Sequence, residues 1–154
     1  MDAEVIRNEL IAVAEVRLDR YRRLLSLAEE QRGILLAGRH AELAGNLANH
    51  DPVLVELAQL DRREEMLLAR LNEAGDPSAL SPDFEGKHQR IAEQTSEAAT
   101  RLRSIVQGNA QLLANAMDFV SFSIGILSKL AADLPSYDPS AEAANPALVF
   151  DRKV

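Results

Sequence analysis

Apolar residues recur along this chain at alternating steps of three and four, the spacing that keeps one face of a helix toward a partner. In the first segment the stripe is Ile11, Ala14, Leu18, Tyr21, Leu25, Ala28 and Leu35, interrupted by Arg32. It predicts a helix from about residue 3 to 37, closed by Gly38 in the left-handed conformation. A second helix is predicted over about 40–74, with Leu43, Leu47, Leu54, Leu57, Leu60, Leu67, Leu68 and Leu71 as its apolar side. Pro52 sits inside it and lacks a backbone donor, so a kink or short break is expected near 49–52, with the resumed leucine spacing favouring a kink. Gly75-Asp76-Pro77 opens a loop over 75–80. Ser81-Pro82-Asp83 then supplies a capping hydroxyl, a proline at the first helical position and an early acid. The third stripe runs Phe84, His88, Ile91, Thr95, Ala98, Leu102, Ile105, Asn109, Leu112, Ala116, Phe119, Ser123, Ile126, Leu130, an unbroken alternation that predicts a helix over 82–133. Asn109 at a seam position is expected to fix helix register or partner number. Residues 134–154, rich in Pro, Ala and Ser and without periodicity, are expected to be a disordered tail.

The fold class is therefore all-α: three long helices in an elongated antiparallel bundle or coiled coil (1–133), followed by a flexible tail (134–154). A third helix near 50 residues would span roughly 75 Å, against about 50–55 Å for each of the others. If all three pack side by side from the 75–81 loop, the third outruns its partners by on the order of 15 residues, beginning near 118. That end is also the most apolar. The stretch Asn115–Leu127, NAMDFVSFSIGIL, carries one charge, Asp118. A second stripe, Leu113, Met117, Val120, Ile124, Leu127 and Ala131, lies about 100° from the first, and Phe122 flanks the first on its other side. A wide apolar surface with few internal partners marks an interaction site. Leu113, Met117, Phe119, Val120, Ile124 and Leu127 are the candidate binding residues. Periodicity alone fits equally well a core segment buried by a bend at Gly108 or Gly125, and self-association into a homo-oligomer is a third reading.

Composition narrows the alternatives. The 154 residues suit one domain, with 47% apolar and 27% charged residues. Aromatics are only 4% and Trp is absent, which favours helices packed through Leu and Ala. A net charge of −7 argues against a nucleic-acid partner. There is no cysteine, hence no disulfide, thiol or Cys-based zinc chemistry. MDAEVIRNEL does not read as a signal peptide, which places the protein in the cytoplasm. No 18-residue span is free of polar residues, and Leu112–Leu130 is interrupted by Asn115, Asp118, Ser121, Ser123, Ser128 and Lys129, so membrane insertion is not expected. Catalysis has little support. Glu85-x-x-His88 has the spacing of di-iron bundle ligands, but neither His40 nor His50 supplies the second copy such a site needs. The paired acids Glu29, Glu30, Glu64 and Glu65 sit beside arginines on charged faces. No enzyme, metal site or cofactor is expected.

NAQLLANAMDFVSFSIGIL, followed by SYDPSAE, resembles the carboxy-terminal half of the FlgN family of flagellar export chaperones. Asn109, Leu112 and Leu113 match the family's Asn-x-x-Leu-Leu pattern, and Tyr137 matches its tail tyrosine. Asp138 and Ala141 stand where the family's Tyr-Gly-x-x-Gly-like motif has its two glycines. Leu35, Gly38 and Leu43 in LLAGRHAEL resemble the family's Leu-x-x-Gly-x-x-x-x-Leu turn. The resemblance covers nearly the whole chain. It implies a cytoplasmic chaperone that holds hook-associated flagellar proteins by their carboxy-terminal helical segments, receives them on the last helix and prevents premature assembly before type III export. It also implies that Tyr137 docks at the export gate. The alternative is a structural coiled-coil adaptor or self-assembling oligomer without an export client.

Overall fold

A computed structural model of the chain describes residues 2–75 and 81–133. The described residues form helix α1 (Ala3–Ala37), a 3₁₀ turn (His40–Glu42), helix α2 (Leu43–Glu73) and helix α3 (Pro82–Asp133), with no strand among them. The expected tail, 134–154, lies outside the described residues. The chain divides into two units, residues 1–115 and 116–154.

The helix ends follow their capping residues. Asp2 accepts from the amide of Glu4 at the start of α1. Gly38 closes α1 at φ 70°, where a left-handed residue lets its own amide and that of Arg39 return to the carbonyls of Leu35 and Ile34. Ser81 caps α3, its hydroxyl accepting from the Phe84 amide at 3.4 Å. The second helix begins three residues later than the spacing predicts, because 40–42 tighten into a 3₁₀ turn closed by an Arg39–Glu42 ion pair at 2.8 Å. Nor does Pro52 break α2, which continues unbroken to Glu73. Pro52 and Ala48 are both exposed, so the carbonyl that loses its donor lies on the solvent side of the helix.

Within the first unit α1 is the central helix, and it carries two stripes. Ile6, Leu10, Val13, Leu24 and Leu27 face α2, which runs antiparallel: Ile6, Leu10 and Val13 pack with Leu67 and Leu71, and Leu24 and Leu27 with Val53 and Leu57. Between these clusters the α1–α2 seam is ionic. Arg17 meets Asp61 at 3.0 Å and Glu64 at 2.7 Å, and Arg20 pairs with Glu56. The second stripe of α1, the one the sequence marks out, faces α3, which runs parallel to α1. Ile11, Ala14 and Leu18 cluster with Ile91, Phe84 packs at one end, and Leu102 packs against the Leu24–Leu27 cluster. Lys87–Glu15 and Arg101–Glu29 ion pairs flank this seam.

The seam of α2 differs from the leucine stripe. Its inward positions are Asn46, His50, Val53, Leu57, Leu60, Glu64, Leu67 and Leu71, a strict alternation of fours and threes. Leu47, Leu54 and Leu68 are exposed. Polar residues at three inward positions hide the seam from a count of leucines.

Candidate functional site

The stripes of α3 change character along the helix. In the first unit Ile91, Ala98 and Asn109 are buried, while Leu102, Ile105 and Leu112 are half-buried. Asn109 is the most buried of them, at 3% exposure, and donates Nδ2 to the Ala28 carbonyl and to Gln31 Oε1, each at 2.9 Å. Leu113, on the next turn, is exposed.

The second unit is described over 116–133, the last turns of α3, and none of those residues is buried. Helical spacing places Phe119, Phe122, Ile126 and Leu130 on one side and Met117, Val120, Ile124 and Leu127 on the other, together an apolar arc of about 220°. Phe119 is 69% exposed and Met117 62%. The eight large apolar side chains of these turns present on the order of 900 Å², above the few hundred Å² usual for the largest patch on a soluble protein. The remaining strip holds Asp118, Ser121, Gly125, Ser128 and Lys129. The helix stays unbroken through Gly108 and Gly125.

All six candidate binding residues are exposed. Phe122, Ile126 and Leu130 belong to the same surface but are absent from the sequence-based set. A heptad seam reads as internal packing, and only burial distinguishes a seam that is used from one left open. Tyr137 lies outside the described residues. By length and composition α3 also passes for a membrane-crossing helix, with an 18-residue window of mean hydropathy 1.4, none of it buried.

Elsewhere, a solvent-open cleft of about 250 Å³ is lined by Arg17, Tyr21, Glu64, His88, Ile91 and Thr95, among others. Its ionisable groups are engaged with one another: Glu64 holds Arg17 and lies 3.8 Å from His88, whose ring stacks on Phe84. Among the described residues no three His, Asp or Glu side chains group as metal ligands.

The described residues thus form three long helices, with an exposed apolar face on the last turns of α3. A family model described as FlgN protein matches residues 1–145. The chain belongs to the FlgN family. FlgN-family proteins are flagellar export chaperones, and the match spans all three helices. No curated protein and no solved structure gives a significant match. In this FlgN-family chain, the asparagine of the Asn-x-x-Leu-Leu pattern is a buried packing residue that ties α3 to α1. Its first leucine, Leu112, is half-buried, and its second, Leu113, is exposed.

Proposed function

We propose that this FlgN-family protein is a cytoplasmic chaperone that holds hook-associated flagellar proteins on the apolar face of α3. Leu113, Met117, Phe119, Val120, Ile124 and Leu127 are its main contacts. The observation that carries this reading is the open apolar arc of residues 116–133. An amphipathic helix from the client, laid along these turns, would bury its own apolar stripe at the same time. A client so held could not use that stripe for assembly. Burying one large side chain is worth about 1.5–3 kcal/mol, so a few anchors suffice for micromolar affinity once the cost of association is met. Release at the export apparatus would follow docking of Tyr137 at the gate.

A membrane-anchored reading draws on the same hydropathy, but Asp118 and Lys129 oppose it. Each would cost about 2.5–3.5 kcal/mol near the centre of a bilayer, and the serine strip leaves one side of the helix polar. A surface apolar over only part of its circumference fits a partner helix better than lipid on all sides.

The test is a double substitution, Val120→Ser with Ile124→Ser. Binding of a synthetic helix from the carboxy terminus of a hook-associated protein, followed by calorimetry, is expected to be lost while the melting temperature of the free protein stays within about 2 °C. Unchanged binding would overturn the assignment. Tyr137→Ala is expected to keep client affinity and lower export. Normal export of this variant would remove the docking role.

A further inference from the structure

The apolar face of α3 is bordered by charge along one edge only. Between Arg103 and Asp133 the chain carries two charges, Asp118 and Lys129. Both are exposed, and among the described residues neither enters an ion pair, whereas Arg17, Arg20, Lys87 and Arg101 of the first unit all do. The two are eleven residues apart, which sets them about 20° from each other around the helix and about 16 Å along it. Both border the Phe122 edge of the arc, Lys129 about 20° from Phe122 and Asp118 about 40°. The other edge, beside Met117, meets only Ser121 and Ser128. Asp133 is one turn further on, past Leu130, the last large apolar side chain of the face.

We propose that Asp118 and Lys129 set the direction of the bound helix. The partner is an amphipathic helix that lies antiparallel to α3, with an acid facing Lys129 and, eleven residues later, a base facing Asp118; this rests on the reading of that face as the client site. An apolar arc by itself holds a leucine stripe equally well in either direction, so direction must come from its borders. Two arrangements bring opposite charges together. A parallel helix would need its base first and its acid last, which sets both against its own dipole. An antiparallel helix needs its acid first and its base last, the order its own dipole favours. Only there do the charges between the helices and the charges within the partner agree. Turned end for end, that same helix would place its acid at Asp118 and its base at Lys129. Exposed ion pairs add little affinity, but like charges set opposite each other exclude the wrong orientation. The pair therefore governs direction and register more than strength.

The absence of cysteine gives a clean readout of direction. Ser128→Cys places a single thiol near the carboxy-terminal end of the face. The probe is a synthetic amphipathic helix with Glu and, eleven residues later, Lys beside its leucine stripe, made with a cysteine at either its first or its last residue. In oxidised glutathione the first-residue cysteine is expected to cross-link to the full-length chain at least about fivefold faster than the last-residue one. Adding Asp118→Lys with Lys129→Asp is expected to reverse that preference. Equal rates from the two ends, or a preference that the charge exchange leaves unchanged, would overturn the proposal. In calorimetry, Asp118→Asn with Lys129→Gln should weaken the probe by about three- to tenfold at low salt, and by much less at about 1 M salt, where the screening length is about 3 Å. A loss that salt does not reduce would assign the effect to shape and overturn the proposal too. A probe with Gln at both charged positions separates the two readings. If it fails to bind, or binds despite Val120→Ser with Ile124→Ser, the client site itself is wrong. If it binds as the client reading requires while the charged probe shows no preferred end, only the assignment of direction falls.

Discussion

Asn109 donates its side-chain amide to the main-chain carbonyl of Ala28, and one residue earlier on α1 the carbonyl of Leu27 receives the amide of Asn46 from α2. Two buried asparagines, each 3% exposed, thus bind both flanking helices to one turn of the central helix. The second acceptors are also on α1, Gln31 for Asn109 and Glu30 for Asn46. Leucine stripes tolerate slippage by a heptad; a polar side chain that finds its acceptor in only one register does not.

This arrangement makes the two obvious substitutions of Asn109 differ sharply. Asn109→Asp replaces the donor with a carboxylate facing a carbonyl and an amide oxygen, and is expected to destabilise the fold by about 2–4 kcal/mol. Asn109→Leu keeps the volume and removes a buried polar group, so its midpoint in urea is expected to change little. Its cost should appear in specificity, as exchange broadening of α3 resonances when the helix samples a second register. Equal destabilisation by Asp and Leu would show that volume, not the hydrogen bond, is what the site reads.

The ionic step in the α1–α2 seam is expected to behave as a unit. Arg17 bridges Asp61 and Glu64, and the Glu64 side chain is only 16% exposed. Arg17→Met leaves that carboxylate short of its partner and should lower stability by about 1–3 kcal/mol. Combining Arg17→Met with Glu64→Leu should recover most of the loss, because apolar residues of similar size fill a seam as well as an ion pair does. Additive losses in the double-mutant cycle would mean that the pair does not interact.

Much of this fold is written in spacing, and residue identity misleads where polar side chains hold inward positions. The α3 stripe from Phe84 to Leu112 marks the inward positions of that helix because its alternation of fours and threes runs through His88, Thr95 and Asn109 as well as through the apolar residues. On α2 the leucines Leu47, Leu54 and Leu68 look like a seam, yet the inward line passes through Asn46, His50 and Glu64. Each of these meets a group remote in sequence or on the preceding turn: the Asn46 amide nitrogen meets Leu27 and Glu30, His50 the Asn46 carbonyl at 3.0 Å, and Glu64 Arg17. Such partners become visible only after folding. The α2-facing stripe of α1 escapes notice for the same reason, since Arg17 and Arg20 occupy its middle. For the apolar face of α3 the sequence shows the surface but not its exposure. Periodicity reports which residues share a side, and burial depends on what lies across from them.

Two glycines should respond in opposite directions to alanine. Gly38 has φ 70°, so Gly38→Ala is expected to cost about 1–2 kcal/mol through left-handed strain. Gly108 is helical, and a Cβ there would meet only the guanidinium end of exposed Arg32, at 3.0 Å. That end can swing into solvent, so Gly108→Ala is expected to stabilise by about 0.5–1 kcal/mol through helix propensity. Thermal melts of the two variants test both signs. A destabilised Gly108→Ala would show that Arg32 is held in place over the seam.

Phe119 offers the sharpest separation between packing and binding. It continues the stripe that buries Ile91 and Ala98, so its spacing alone gives it a share in the bundle. Its 69% exposure removes that share. Phe119→Ser should therefore leave the melting temperature within about 2 °C, against a loss of about 2–5 kcal/mol for Leu27→Ala, whose side chain is 1% exposed. If the face receives a client helix, the same variant should weaken client binding by roughly tenfold or more, the equivalent of one good apolar contact. Calorimetric melting and titration of one preparation read both quantities. A Phe119→Ser protein that melts early and binds normally would place Phe119 in the folded core and move the client site elsewhere on α3.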